Sequence, residues 1–129
     1  MPVELVDRLS AELGRETVRV SADVDRFFGD LLKPPGDSRD RLYEAMRHAA
    51  IGGGKRLRPL LTTAAARLFA IGDERALRLA CAIEAIHVYS LIHDDLPCMD
   101  DADLRRGKAS VHKAFGDAVA VLAGDSLHA

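Results

Sequence analysis

The chain has 129 residues, with 18 Lys and Arg against 20 Asp and Glu and a formal net charge of −2 at pH 7. Domains that bind nucleic acid usually carry a strong excess of basic residues, so this balance argues against a nucleic-acid partner. Apolar residues make up 48% of the chain and charged residues 29%, which is typical of a folded domain rather than a disordered segment.

The sequence shows no pattern of export or of a membrane span. Residues 1–7 are acidic and lack the apolar core of a signal peptide. The longest uncharged stretch is the nine residues 85–93, whereas a membrane-spanning helix needs about 20 apolar residues. Cys81 and Cys98 are too few for a disulfide framework and too far apart for a CxxC site. We therefore expect a protein of the reducing cytoplasm.

Apolar residues recur at intervals of three and four in nearly every segment, and this period predicts an all-α fold. The first predicted helix covers residues 3–32 and ends at the Lys-Pro-Pro-Gly sequence of residues 33–36, because proline cannot continue a helix. The second begins after an N-cap at Asp37 or Ser38 and ends at the glycines of residues 52–54.

The third predicted helix begins at Pro59 and stops before a left-handed Gly72. The fourth covers residues 73–95 and is apolar on almost every side over much of its length, as a buried central helix is. Residues 97–107 are predicted to be irregular, and a last helix starts after Ser110 and continues to the C-terminus without a cap. That ending suggests a chain that has been cut short.

Five aspartates crowd the segment after the fourth helix: Asp94, Asp95, Asp100, Asp101 and Asp103. The first two stand at the negative end of a helix dipole, where a carboxylate is disfavoured by roughly 0.3–1 kcal/mol. Mg²⁺ would relieve this repulsion, because it prefers oxygen ligands and accepts carboxylates together with substrate phosphates. Three cations downstream, Arg105, Arg106 and Lys108, are suited to hold such a phosphate. A solvated acidic loop is the alternative interpretation.

A polar stripe runs along the fourth helix toward these aspartates. His87 precedes Asp94 by seven residues, or about two turns, so the two share a face, and Glu84 lies one turn before His87. A core histidine hydrogen-bonded to Glu84 is the alternative. The alignment with Asp94 favours a site.

The second charged feature is the sequence GGGKRLRP at residues 52–59. Its glycines permit close backbone approach, and Lys55, Arg56 and Arg58 bring three cations within four residues. The loop does not match the Walker phosphate-binding motif, because Arg follows Lys55 where Ser or Thr is needed and no strand precedes it. A helix stop followed by solvated basic residues is the alternative.

Three segments together resemble the trans-isoprenyl diphosphate synthases, which make geranyl, farnesyl and geranylgeranyl diphosphate. They are GGGKRLRP at 52–59, IEAIHVYSLIHDDLPCMDDADLRRGK at 83–108 and VHKAFGDAVAVLAGDSL at 111–127. The resemblance implies that residues 1–129 are the N-terminal helices of a single isoprenoid synthase bundle. The family's second aspartate-rich motif has no match here, so we expect these residues alone to be inactive or nearly so.

The resemblance also implies a role for each charged residue. Asp94, Asp95 and Asp100 would chelate Mg²⁺ that bridges to the diphosphate of the allylic substrate, dimethylallyl or geranyl diphosphate, and Arg105 would contact that diphosphate. Four residues would bind isopentenyl diphosphate: Lys55, Arg58, His87 and Arg106. A homodimer is expected, as is typical of the family.

The same resemblance bears on product length. Tyr89 and Ser90, five and four residues before Asp94, match positions that limit chain growth in the family. The bulky phenol of Tyr89, together with the two-residue insertion between Asp95 and Asp100, resembles bacterial farnesyl diphosphate synthases. Geranylgeranyl diphosphate is the alternative product, and ordinary packing is the alternative role for Tyr89.

Two other functions fit parts of the sequence. The doublet of His93 and Asp94, with His87 nearby, is compatible with a metal-dependent phosphohydrolase, which would release phosphate without forming a carbon–carbon bond. A non-catalytic helical subunit that pairs with a fuller synthase is also compatible, and it would not bind diphosphate in a Mg²⁺-dependent way.

Overall fold

A computed structural model describes residues 2–129. Over these residues the chain forms six helices and one short hairpin: α1 Val3–Leu31, α2 Asp40–Ala50, α3 Leu57–Leu68, α4 Asp73–Asp94, β1 Leu104–Arg105, β2 Lys108–Ala109, α5 Val111–Phe115 and α6 Asp117–His128. The predicted all-α fold is confirmed, apart from these two strands of two residues each.

Helix α4 lies at the centre and packs against α1, α3 and α6. Its Val88 and Ile92 are buried in the core, where they meet Val20, Val24 and Phe28 of α1. Those three residues recur every four positions, so one face of α1 supplies the apolar stripe that covers α4. The central position predicted for the fourth helix is therefore confirmed, but its burial is one-sided, because Leu79 and Ile86 on α4 are 57% and 52% exposed.

By length and hydropathy alone, α4 would suffice to cross a membrane. One of its faces packs against other helices and contains the carboxylate of Glu84, which is 2% exposed. A core helix of a helical bundle has the same features, and the absence of a membrane span stays a prediction.

The start of α2 differs from the prediction. The helix begins at Asp40, and neither Asp37 nor Ser38 caps it with a side-chain hydrogen bond. Instead the carboxylate of Asp40 reaches backward, and its Oδ1 accepts hydrogen bonds from the backbone N–H of Gly36 at 2.7 Å and of Asp37 at 3.2 Å. The predicted N-cap was wrong because the carboxylate of Asp37 accepts the backbone N–H of Arg39 at 2.9 Å, which lies before the helix, so this bond closes the preceding turn instead of the first turn of α2.

Both ends of α3 also differ from the prediction. The helix begins at Leu57, two residues before Pro59, and the left-handed residue after its C-terminus is Ala70 with φ of 53°, whereas Gly72 has φ of −60°. The backbone N–H of Ile71 bonds to the carbonyl of Ala66 at 3.0 Å, which closes the helix end around Ala70. The predicted stop at Gly72 was wrong.

The segment after α4 is more ordered than the prediction allowed. Strands β1 and β2 pair antiparallel around a two-residue turn in which Arg106 and Gly107 both have positive φ, at 52° and 76°. Such a turn matches the twist of a tight hairpin. Helix resumes at Val111, as predicted, but Gly116 with φ of 91° divides it into α5 and α6.

The contact between α4 and α6 depends on one glycine. The ring of His93 lies directly over Gly124, so close that a Cβ at that position would overlap the ring. His93 Nε2 also forms a hydrogen bond with the carbonyl of Val121 at 3.1 Å. Residue 124 has to be glycine for His93 to pack here, and this fixes the end of α4 against α6.

We expect Gly124→Ala to lower the free energy of unfolding by about 1–3 kcal/mol, because the added methyl overpacks the α4–α6 contact. Gly14→Ala is the matched control, since Gly14 lies in α1 with no atom within 4 Å of an added Cβ. That change should raise stability by up to about 1 kcal/mol through helix propensity. Urea denaturation followed by circular dichroism measures both, and equal effects of the two substitutions would contradict the account.

Candidate functional site

The loop between α2 and α3 is shaped by its glycines. Gly52 and Gly54 have φ of 77° and 79°, a left-handed conformation that disfavours other residues. A Cβ on Gly54 would lie 2.7 Å from the guanidinium of Arg106, and one on Gly53 would lie 3.2 Å from it. The glycines therefore allow Arg106, at the tip of the hairpin, to lie directly on the loop.

This contact borders an open cavity of about 620 Å³ between the loop, α4 and the hairpin. Its wall includes the four residues predicted to bind one diphosphate, which come from three separate segments of the chain: Lys55, Arg58, His87 and Arg106. Within residues 2–129, none of these four side chains is paired with a carboxylate. We refer to this space as the basic cavity.

Burial and neighbouring cations act in the same direction on two side chains of the basic cavity. Burial lowers the pKa of Arg106, and the charge of Arg56 lowers it further. Burial likewise lowers the pKa of His87 below its usual 6.5, and Arg58 adds to this effect while Glu84 opposes it. His87 is thus neutral at pH 7, and a bound polyanion would stabilise the positive charges around it.

Glu84 borders the same cavity but forms no hydrogen bond with His87. Its Oε1 accepts a hydrogen bond from Nη1 of Arg56 at 3.0 Å, and both side chains are buried. The alternative of a core histidine bonded to Glu84 is therefore not what the structure shows. Arg56, which the sequence grouped with its exposed neighbours Lys55 and Arg58, instead turns into the protein.

The acidic segment folds back on the end of α4. The backbone N–H of Asp100 bonds to the carbonyl of Asp94 at 2.8 Å, and that of Ala102 bonds to the carbonyl of Asp95 at 3.1 Å. Asp94 and Asp100 are both exposed. The turn thus brings together two of the three aspartates that the sequence predicts as metal ligands.

The third aspartate is engaged by an arginine. Asp95 is 2% exposed, and its two carboxylate oxygens accept hydrogen bonds from Nε and Nη2 of Arg105 at 2.8 and 2.7 Å. This pairing raises the pKa of Arg105. The sequence predicted separate roles for Asp95, at a metal, and Arg105, at a diphosphate, and did not reveal that the two residues bind each other.

The carboxylates at this acidic end suit a hard cation that keeps some of its ligands from water or phosphate. No three His, Cys, Asp or Glu side chains of residues 2–129 are grouped closely enough to form a metal cage. Mg²⁺ commonly takes one or two carboxylates and completes its shell with water and phosphate oxygens. Asp94 and Asp100, exposed and without ion-pair partners in the described chain, fit that pattern.

Tyr89 and Ser90 lie one turn before the acidic end. The Tyr89 ring packs against the rings of His93 and His128, with centroids 5.6 and 4.6 Å away. The hydroxyl of Ser90 donates to the carbonyl of His87 at 2.6 Å, so it is occupied within its own helix. Of the two residues, Tyr89 presents the larger side chain at this level of α4.

The hairpin is fastened to α2 by a reciprocal pair of hydrogen bonds. His48 Nε2 bonds to the carbonyl of Ala109 at 2.8 Å, and Nζ of Lys108 donates to the carbonyl of His48 at 2.9 Å. The sequence placed Lys108 among the anion-binding cations. In the structure it borders the basic cavity and also anchors the strand next to Arg105 and Arg106.

Comparison with known proteins places these features in a family. The family profile described as "Polyprenyl synthetase" matches residues 39–129. The chain belongs to the polyprenyl synthetase family. It is 59% identical over 86 residues to a chloroplastic geranylgeranyl pyrophosphate synthase of Capsicum annuum, covering 67% of this chain and 23% of that protein. It is 54% identical over 91 residues to the farnesyl diphosphate synthase of Bacillus subtilis, covering 70% and 31%.

Solved structures of the family agree with the fold. The apo structure of an FPP/GFPP synthase from Zymomonas mobilis superposes with a TM-score of 0.90 at 61% identity, over 92% of this chain and 42% of that one. The chain thus spans less than half the length of these polyprenyl synthetases. The matched region includes the glycine loop, α4, the acidic segment and the hairpin.

We expect Gly54→Ala to weaken the binding of inorganic pyrophosphate to this polyprenyl synthetase about tenfold or more. The added methyl would displace the guanidinium of Arg106, whose charge-assisted hydrogen bond is worth about 1.5–3 kcal/mol. Gly52→Ala is the control: it imposes the same left-handed backbone, but no atom lies within 4 Å of the new Cβ. Isothermal titration calorimetry without Mg²⁺ measures both. Equal losses in the two variants would show that backbone strain, and not the contact with Arg106, sets the affinity.

Proposed function

We propose that this chain binds the two diphosphate substrates of a prenyltransferase that joins an allylic diphosphate to isopentenyl diphosphate. The observation that carries the proposal is the placement of two consecutive arginines on one hairpin. Arg106 lies in the basic cavity, while Arg105 reaches the acidic end of α4. Two anion sites that use adjacent arginines suit a reaction between two diphosphates, and the family supports this type of chemistry.

In this proposal the basic cavity holds isopentenyl diphosphate. Lys55, Arg58 and Arg106 bind its diphosphate, and His87 donates a hydrogen bond to it from its ring N–H. These contacts fix the position of the double bond, and holding two reactants in register is a large part of the rate enhancement for such a reaction.

At the acidic end, Asp94 and Asp100 would hold Mg²⁺ together with the allylic diphosphate. Asp95 holds the guanidinium of Arg105 in place and would join the metal only by exchanging these bonds, and Arg105 would bind the same diphosphate. Mg²⁺ neutralises charge on the departing diphosphate when bound. The carbon–oxygen bond breaks with its electron pair on the diphosphate, the double bond of isopentenyl diphosphate attacks the allylic carbon, and a proton leaves to restore an alkene. Arg105 then stabilises the leaving group by its positive charge.

We propose farnesyl diphosphate as the product, because the bulk of Tyr89 lies one turn before the acidic end, where the growing chain would extend. The bacterial relative with 54% identity carries that activity in its name. Geranylgeranyl diphosphate is the second candidate, favoured by the name of the plant relative with 59% identity. A homodimer and a cytoplasmic location remain predictions, and several plant relatives are named as chloroplastic.

The first test is Mg²⁺-dependent binding of inorganic pyrophosphate by calorimetry. We expect Mg²⁺ to tighten binding by the wild-type chain, and Asp94→Asn or Asp100→Asn to reduce that gain about tenfold, as the loss of a metal-linked contact does. Asp103→Asn is the matched control, since it removes the same charge from the same segment, where Asp103 pairs with Lys113 at 3.1 Å.

The other candidate functions give different results in that experiment. A phosphohydrolase would release orthophosphate from the pyrophosphate, which a colorimetric assay detects. A non-catalytic helical subunit would show no gain from Mg²⁺. Either result with the wild-type chain would contradict the prenyltransferase proposal.

The second test addresses product length in a synthase that contains this chain. We expect Tyr89→Ala to shift the products toward geranylgeranyl diphosphate and longer chains, because it removes the ring that would block extension. Tyr89→Phe keeps the ring and should leave the product unchanged. Chromatography of the dephosphorylated products measures both, and an unchanged chain length in the alanine variant would assign Tyr89 to packing alone.

A further inference from the structure

Arg56 is buried in a place where the local sequence gives no reason for burial. It stands between the exposed residues Lys55 and Leu57, yet its side chain is 1% exposed. Its φ of 51° is left-handed, a conformation that disfavours any residue with a Cβ. The backbone at this position would favour glycine, so the reason for arginine lies in its side chain.

The guanidinium of Arg56 ties three other segments together. Nη2 donates to Oδ1 of Asp25 on α1 at 2.8 Å and to the carbonyl of Ala50 at the end of α2. Oδ1 of Asp25 also accepts the backbone N–H of Gly52 at 3.2 Å. One carboxylate oxygen therefore holds both ends of the glycine loop, and the positions of Lys55 and Arg58 depend on this anchor.

The third contact of Arg56 concerns charge. Nη1 binds Oε1 of Glu84, whose side chain is 3% exposed and which borders the basic cavity one turn before His87. Without Arg56, the carboxylate of Glu84 would be buried and unpaired beside the cations that face the diphosphate. Such a charge would repel the ligand, and low local polarity would strengthen the repulsion.

We propose that Arg56 is a positioning residue of the diphosphate site, which neutralises Glu84 and holds the glycine loop without touching the ligand. The proposal rests on the proposed function, since it assumes that the basic cavity binds diphosphate. Arg56 lies in the wall of the basic cavity, but both of its terminal nitrogens donate to protein acceptors, and its Nε is buried without a hydrogen-bond partner. The terminal nitrogens are therefore committed to the protein rather than to the substrate.

The test is a double-mutant cycle on inorganic pyrophosphate binding, measured by calorimetry in EDTA so that only the basic cavity is sampled. Arg56→Met should weaken binding about tenfold or more, because it uncovers a nearby like charge. The double variant Arg56→Met, Glu84→Gln should recover part of that loss, because it removes the uncovered charge but does not restore the bonds of Arg56 to Asp25 and Ala50. Arg26→Met is the control for net charge, since Arg26 is largely exposed on α1 and pairs with Asp23.

Glu84→Gln alone is an independent test of the charge effect, because glutamine has nearly the same shape as glutamate. It should lower stability to urea, because it breaks a buried pair, and yet tighten pyrophosphate binding about threefold by removing a negative charge from the cavity wall. A purely structural role predicts that affinity falls together with stability. This variant decides the question even if Arg56→Met does not fold.

Two results would overturn the proposal. One is wild-type affinity in a folded Arg56→Met variant, and the other is weaker binding by Glu84→Gln. Failure of the proposed function has a different signature: the wild-type chain would not bind pyrophosphate in EDTA, or would bind it equally well after Lys55→Ala and Arg58→Ala.

Discussion

Uncompensated positive charge in one cavity is the constraint on which the rest of this structure depends. Lys55, Arg58 and Arg106 meet there with no carboxylate partner in the described chain, and the carboxylate nearest to them, Glu84, is already paired. Like charges repel, so such a cluster is favourable mainly when an anion occupies it. The glycines that admit Arg106 and the buried ion pair of Glu84 both follow from this requirement.

The hairpin explains how a basic site and an acidic site share one wall. Its tight turn directs Arg106 to the glycine loop, while the preceding residue, Arg105, binds Asp95 at the end of α4. The bonds that His48 makes with β2 hold this hairpin against α2. A shift of the hairpin would therefore disturb the basic cavity and the acidic end of α4 together.

Much of this arrangement follows from the sequence, because helical periodicity predicts α1 and α4 and the charged motifs predict the residues around both sites. The helix ends were less predictable, since a left-handed Ala70 replaces the expected glycine at the end of α3. The buried ion pairs were not predictable either. Spacing along the chain does not reveal that Arg56 binds Glu84 or that Arg105 binds Asp95, because these contacts arise only when segments pack.

The central claim is that the basic cavity binds a diphosphate. The most direct test is a titration of ¹⁵N-labelled protein with inorganic pyrophosphate in the absence of Mg²⁺, followed by ¹H–¹⁵N nuclear magnetic resonance. The account predicts that the largest saturable shifts fall on the backbone amides of residues 52–58 and on those of His87 and Arg106. Shifts confined to the acidic segment, or scattered over surface cations outside the cavity, would contradict it.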